Sequence, residues 1–366
     1  MKKLVLLQLI LMLFYACSDK NSPQGELIDV GEIHYDEWFS LMEVDSLILF
    51  EETLAAPQLS IAKKCIVGTE RILFWDYRAK LVYVYGTNGN YLFTTGGIGR
   101  ATDEYVDLND VAFSSDQSEI LLLDKTGLKA YDARDGRFLY KKEFEGIETS
   151  SIKGFASCMN NEYLLFTPEK EYSIYKVDSN NRITPLRKRN GYQMIYPRFS
   201  PVSRGCVILP DYGQFSIDMV QDDKIIPKYS IELGHKGLPS DLIPKDFKHF
   251  EEVDNMKEYF KVILNYYEND DALYMSMVGP SQTYYDLLYN KKDHHVYVGP
   301  NDKKTNLVIT GMDDSYIYGL LYLDYVAPDS PLYPALSSCM ERNSHNPVIA
   351  RMKLFGKSEM QGNKQP

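Results

Sequence analysis

Few residues of this chain combine the types and spacing that chemistry requires. The glycine-rich run Gly96-Gly97-Ile98-Gly99-Arg100 is the first place to look for a phosphate cradle. Such a cradle needs a loop that opens a helix, usually with Gly-Lys-Ser/Thr, so that backbone N–H groups converge on the anion. Here Val106 to Phe113 has the composition of a strand, so no phosphate site is expected. Arg100, Glu104 and Tyr105 are left either to brace a connection or to meet a ligand. His294-His295 is the one histidine pair. Neighbours on a strand point to opposite faces and chelate poorly, and the adjoining Lys291-Lys292-Asp293 reads as a solvated turn. His34, His235, His249 and His345 are scattered. No Gly-x-Ser-x-Gly elbow presents a serine nucleophile. Glu51-Glu52 and Glu251-Glu252 read as solvated surface rather than as a glycosidase dyad. Cys65, Cys158, Cys206 and Cys339 lack zinc-site spacing and lie in or near apolar stretches, as buried free thiols do. This reading assigns no catalytic residue, no metal ligand and no cofactor.

One cysteine stands apart. Lys2 and Lys3 are followed by an apolar run from Leu4 to Phe14, interrupted only by Gln8. The run is too short to span a bilayer and reads as the core of a secretory signal. Ala16 before Cys17 resembles the lipobox of bacterial lipoproteins, with Phe14 where Leu is usual. The resemblance implies that residues 1–16 are removed and that Cys17 becomes an acylated N-terminus. At about 0.8 kcal/mol per buried CH₂, two or three acyl chains anchor a protein durably to a membrane. The outer membrane is the expected address, with its periplasmic and surface faces both open.

The elements that must position any site are strands. The chain has a formal charge of −11 and no long basic run, which argues against nucleic acid and against adsorption to anionic lipid. It has 29 Tyr beside 2 Trp, a bias that suits half-buried sheet positions. Apolar runs recur every forty-odd residues, beginning at Ile72, Ile120, Tyr163, Cys206, Ala272 and Tyr316. The first two end in an acid, Asp76 and Asp124. Each of the first three leads through a second strand to a turn: Asn88-Gly89, Asp135-Gly136 and Asn180-Asn181. Asn-Gly and Asp-Gly signal type I′ hairpins. Four short strands per period of this length are the mark of propeller blades.

The expected fold is therefore an all-β, six-bladed β-propeller of four-stranded blades. Its last blade lacks a strand, which Ser46 to Phe50 can supply from the N-terminal side, closing the ring and removing open edges. Phe247, Phe250, Val253 and Met256 are spaced as on a helix, which predicts a helical insertion near 234–260. The domain reading is 1–16 signal peptide, 17–43 tether and lead-in, 44–356 propeller and 357–366 flexible tail.

At this point the chain resembles the six-bladed β-propeller lipoproteins of Bacteroidetes, a set related to NHL-repeat propellers. The resemblance rests on Cys17, on the segment from Gly96 to Tyr105 and on Asn346-Pro347-Val348-Ile349. Gly97, Gly99, Arg100, Glu104 and Tyr105 match a loop common after the first blade of that family. Ala101, Thr102 and Asp103 replace its Gly-Pro-Gly. The resemblance implies the fold and an envelope location, and little about chemistry.

Propellers usually take ligands at the mouth of the central channel, where the innermost strand of each blade contributes. If the first strand of each period is that inner strand, its polar members are Asp107, Asn109, Asp110, Lys153, Arg198 and Asn265. The leading functional reading is a non-enzymatic envelope propeller that binds or scaffolds a protein or a glycan. The alternative is a hydrolase or lyase with a metal or acid pair at the channel mouth. A purely structural subunit is the third reading, and it calls for an exposed apolar patch without a polar pocket.

Overall fold

The computed structural model describes residues 25–31, 42–54, 56–202, 205–221, 223–301, 304–340 and 345–354. Two strands, β1 (Glu26–Asp29) and β2 (Met42–Leu49), precede the first full blade. Blade 1 is β3 (Ala62–Val67), β4 (Arg71–Asp76), β5 (Val82–Gly86) and β6 (Tyr91–Thr95). Blade 2 is β7 (Leu108–Phe113), β8 (Glu119–Asp124), β9 (Gly127–Asp132) and β10 (Phe138–Lys142). Blade 3 is β11 (Gly154–Cys158), β12 (Glu162–Phe166), β13 (Tyr172–Val177) and β14 (Ile183–Lys188). Blade 4 is β15 (Phe199–Val202), β16 (Gly205–Ile208), β17 (Ser216–Gln221) and β18 (Lys224–Glu232). Blade 5 is β19 (Val262–Glu268), β20 (Ala272–Val278), β21 (Tyr284–Asn290) and β22 (His295–Pro300). Blade 6 is β23 (Val308–Met312), β24 (Ile317–Leu321) and β25 (Val348–Leu354), with β2 as its fourth strand.

The recurring apolar runs are the second strands, and their burial explains their composition. In β4, Ile72 and Phe74 pack with Ile48, Leu320 and Ile349 of blade 6, whereas Leu73 and Trp75 pack with Val111, Ile120 and Leu122 of blade 2. Both faces of the sheet are covered by neighbouring blades, so the strand is apolar throughout instead of alternating. The acids that end the first two runs cap the turns that follow. Asp76 Oδ1 accepts from the N–H groups of Arg78 and Ala79 at 2.8 and 2.7 Å. Asp124 Oδ1 accepts from Thr126 N at 2.7 Å, and its Oδ2 accepts from the buried Lys129 Nζ at 2.8 Å.

The ring closes as the sequence predicts. Residues 42–49 pair antiparallel with β25, from Met42↔Leu354 to Leu49↔Val348. Asp45 holds this seam on its outer side, accepting from Arg351 Nε at 3.0 Å and lying 2.8 Å from Lys353 Nζ. Hydrogen bonds first from Lys353 and then from Arg351 hold its carboxyl down at about 2.

Three details differ from expectation. The turns at Gly89, Gly136 and Asn181 are not type I′, because only the second residue of each pair has positive φ (+88°, +73° and +63°). Gly89 N donates to Gly86 O and Gly86 N to Asn90 O, both at 2.9 Å. A type I turn followed by one left-handed residue meets the same strand twist with a single positive φ. Secondly, the lead-in contains β1, which adds a fifth, parallel strand to blade 4, with Glu26↔Tyr229 to Asp29↔Glu232 in register and Ile28 buried. Thirdly, a second helix accompanies the foreseen one. The insertion holds α1 (Phe247–Asp254), capped by Asp246 Oδ1 on His249 N at 2.9 Å, and α2 (Tyr333–Met340) interrupts blade 6. Pro334 and the two serines of α2 break the apolar spacing that marked α1. Cys17, His34, residues 1–24 and 355–366 lie outside the described residues.

Candidate functional site

The six inner strands β3, β7, β11, β15, β19 and β23 surround a central cavity of about 460 Å³, and all six contribute to its wall. Each delivers an apolar side chain, among them Ile66, Phe113, Phe155, Phe199, Leu264 and Ile309. The polar groups between them are mostly engaged. Lys64 Nζ donates to Asp110 Oδ1 at 2.7 Å and to Val111 O at 2.8 Å, crossing from blade 1 to blade 2. Ser200 Oγ donates to Tyr266 O, joining blades 4 and 5. Tyr322 Oη accepts from Ala62 N at 2.7 Å, joining blades 6 and 1. Cys206 Sγ donates to Ser157 O at 3.4 Å, and Cys65 is free and buried, its thiol pushed up to about 12 by burial. A second cavity of about 300 Å³ adjoins at the junction of blades 6 and 1, sharing Ile61 and Tyr322 with the first. Its rim carries Arg78, Asp324 and His345.

The structure does not gather the residues that the sequence singles out. Of them, Asn265 alone lines the central cavity, its Nδ2 donating to Ser276 Oγ at 3.2 Å. Asp110 is a bracket: besides taking Lys64, it accepts from Phe155 N on blade 3 at 3.1 Å. Asn109 Nδ2 donates to Ile152 O at 2.9 Å, and Lys153 Nζ to Ser150 O at 2.8 Å. Asp107 makes a surface pair with Lys125 at 3.6 Å. Arg198 is buried, paired with Asp211, and donates to Pro210 O at 2.8 Å and Tyr196 Oη at 2.6 Å. Its guanidinium lies over the ring of Phe166.

The glycine-rich loop is equally self-contained. Gly99 N donates to Tyr105 O at 3.0 Å and Tyr105 N to Gly97 O at 2.8 Å. Glu104 accepts from Ala101 N at 2.9 Å, and its carboxylate lies so close over Gly99 that a Cβ there would overlap it. Tyr105 is buried and donates to Lys80 O at 3.1 Å, so burial pushes its hydroxyl pKa up. Arg100 is exposed. Among the described residues, no three His, Cys, Asp or Glu side chains converge as metal ligands would.

Comparison with known proteins bears out the architecture. Residues 17–312 match the model of a protein family, DUF5128, described as a 6-bladed beta-propeller. The chain belongs to this family. A crystal structure of a protein assigned as exported, from Bacteroides fragilis, superposes with a TM-score of 0.73 at 16% identity, covering 90% of this chain and 100% of that one. A member of the duf4221 family from Bacteroides vulgatus gives a TM-score of 0.54 at 10% identity, covering 85% and 97%. At these identities the likeness concerns the fold. No curated protein matches the chain.

Within this propeller family member, the wall of the cavity is what sequence reasoning missed. Polar residues at the starts of the inner strands are taken up by bonds to a neighbouring blade, as Asp110 is, or by local bonds, as Lys153 and Arg198 are. A usable signal was present: Phe113, Phe155 and Phe199 fall on the inner strands of three successive blades.

Proposed function

We propose that this protein is an exported, lipid-anchored propeller that captures a protein partner on one face of its ring without doing chemistry on it. The observation that carries the reading is where the exposed apolar side chains lie. Of the fifteen large ones among the described residues, Leu27, Leu92, Leu139, Tyr140 and Met159 fall elsewhere. Of the other ten, eight belong to the connections that lead into inner strands or join second to third strands, and Tyr284 and Val308 are the first residues of β21 and β23, which such connections enter; we term this the entry face. The ten include Ile61, Tyr77, Ile98, Phe247, Val308 and Tyr325. Scattered apolar residues need no explanation, but a concentration around one channel mouth marks an interaction surface. Aliphatic side chains among them favour a protein over a glycan, which would call for open hydrogen-bonding groups beside flat aromatic rings.

Anchoring through Cys17 fits this role. Glu26 lies nine positions after Cys17, a reach of at most about 30 Å, so β1 on blade 4 would hold the ring close to the bilayer. Labelling with radioactive palmitate is expected to mark the wild-type chain and not Cys17→Ala. For the capture itself, a photo-crosslinking amino acid placed at Tyr77 or Tyr325 should yield a discrete protein adduct in intact cells. The same group at Asn90 or Asn181, on the opposite face, should not. Equal adducts from both faces, or selective retention on a glycan array with no protein adduct, would overturn the proposal.

A further inference from the structure

We propose that the central cavity is a binding site for an uncharged aromatic or alicyclic molecule carrying one hydroxyl or carbonyl group. This goes beyond partner capture on the entry face and does not depend on it. The cavity of about 460 Å³ falls in the range of small-molecule pockets and is about three times the roughly 150 Å³ apolar cavity known to take up benzene. Two or three fused rings match it in size.

The wall decides the chemistry. Phe113, Phe155, Phe199 and Ile66 offer dispersion contacts from four blades. A saccharide would bring many hydroxyls into a place where most of the hydrogen-bonding groups are already taken. Lys64 is committed to Asp110 and Val111 O, Ser200 to Tyr266 O, the Ser157 hydroxyl to Ser115 N at 3.2 Å, and the Gln117 carbonyl to Thr69 N at 2.7 Å. Buried hydroxyls without partners oppose binding. An ion would fare no better, because the positive charge of Lys64 is neutralised by Asp110 within the wall and the Lys63 ammonium is seated over the Trp75 ring at 4.1 Å.

On β19, among the described residues, two polar groups stay open side by side. Asn265 and Tyr267 are two apart on β19, and both residues line the cavity. Asn265 uses its amide nitrogen on Ser276, and its carbonyl oxygen has no hydrogen-bond donor among the described residues. The Tyr267 hydroxyl likewise has no hydrogen-bond partner among them. Burial pushes its pKa up, so it stays protonated as a donor. A single hydroxyl on a ring system would accept from Tyr267 and donate to Asn265. Such a small number of fixed polar groups within an apolar wall gives orientation without demanding charge.

The test is fluorescence titration of the whole mature chain, residues 17–366 with Cys17→Ser, using the uncharged dye N-phenyl-1-naphthylamine. The expected result is saturable binding of one dye per chain, displaced by 2-naphthol and not by maltose. Val308→Trp, at an exposed position on the mouth, should weaken binding at least tenfold while circular dichroism stays native. Tyr267→Phe should weaken 2-naphthol several-fold and leave naphthalene unchanged. Absence of saturation, displacement by maltose, or indifference to both variants would overturn the inference. Because no partner protein is present, none of these outcomes bears on crosslinking at the entry face.

Discussion

The two faces of the ring are built by different rules. On the turn face, strands are joined by short links such as 87–90, 133–137 and 178–182, whose shape is set by one left-handed residue and by caps from Asp and Asn. On the entry face the links run to 96–107, 233–261 and 322–347; the last two carry the two described α-helices, and the face as a whole holds most of the exposed apolar side chains among the described residues. Tight turns are constrained by their backbone and have little surface to vary. Long connections are held by side chains such as Glu104, Arg198 and Asp254, so their outward surface is free to specialise. Binding is therefore expected where the scaffold constrains the chain least.

Both faces depend on the closed ring, and opening it has the largest expected effect. Ile349 is fully buried and pairs with Ile48 across the seam. Ile349→Asp should cost more than about 4 kcal/mol, enough to unfold the protein at ordinary temperature. Native circular dichroism and an unchanged denaturation midpoint would show that β2 does not close the ring. On the turn face, Gly89 has φ +88° and faces the backbone carbonyl of Leu49. Gly89→Ala should cost about 2–4 kcal/mol by urea denaturation, and no side-chain deletion should rescue it.

A buried acid makes the entry face sensitive to pH. Asp286 accepts from Tyr274 Oη at 2.5 Å and from Asn301 Nδ2 at 2.9 Å, tying blade 5 to the link that enters blade 6. Burial raises its pKa from 3.8 to about 6, against the opposing pull of these hydrogen bonds. The folded state thus favours the protonated form. Its stabilising contribution is complete below pH about 4 and is lost as pH rises past about 6, an effect of about 2–3 kcal/mol. Asp286→Asn should flatten urea stability across that window, and an unaltered pH profile would refute the assignment.

The smallest expected effect sharpens the contrast between the faces. Gly99→Ala pushes a methyl group into the Glu104 carboxylate, a movable side chain on an exposed loop, and should cost about 1 kcal/mol. In the double variant with Glu104→Ala most of that cost should vanish, a coupling read by a double-mutant cycle. If Gly99→Ala is as costly as Gly89→Ala and is not rescued, the entry-face loop is backbone-limited after all.

Much of the scaffold was legible because blades impose a period. Both faces of a second strand are buried, so Ile72-Leu73-Phe74-Trp75 and its counterparts stand out as unbroken apolar runs. The closing strand was legible by elimination, since one blade was a strand short. The fifth strand of blade 4 was not, because Glu26–Asp29 is four residues long and its pairing with Tyr229–Glu232 spans two hundred residues of chain. The site was legible least. Asp110, Lys153 and Arg198 have the residue types of a ligand grip, yet each spends its polar atoms on a neighbouring backbone or side chain.

The sequence by itself determined six apolar runs at blade spacing, a seam between the ends of the chain and a helix-bearing insertion. These follow from local patterns of burial and turn chemistry that any close packing of the strands must respect. The tertiary structure alone decided which polar inner-strand residues are used up in holding blades together and which face the channel. Hydrogen-bond partners such as Lys64 and Asp110, or Tyr322 and Ala62, lie tens to hundreds of residues apart. Whether a group is open to a ligand depends on that distant partner, which no local pattern encodes.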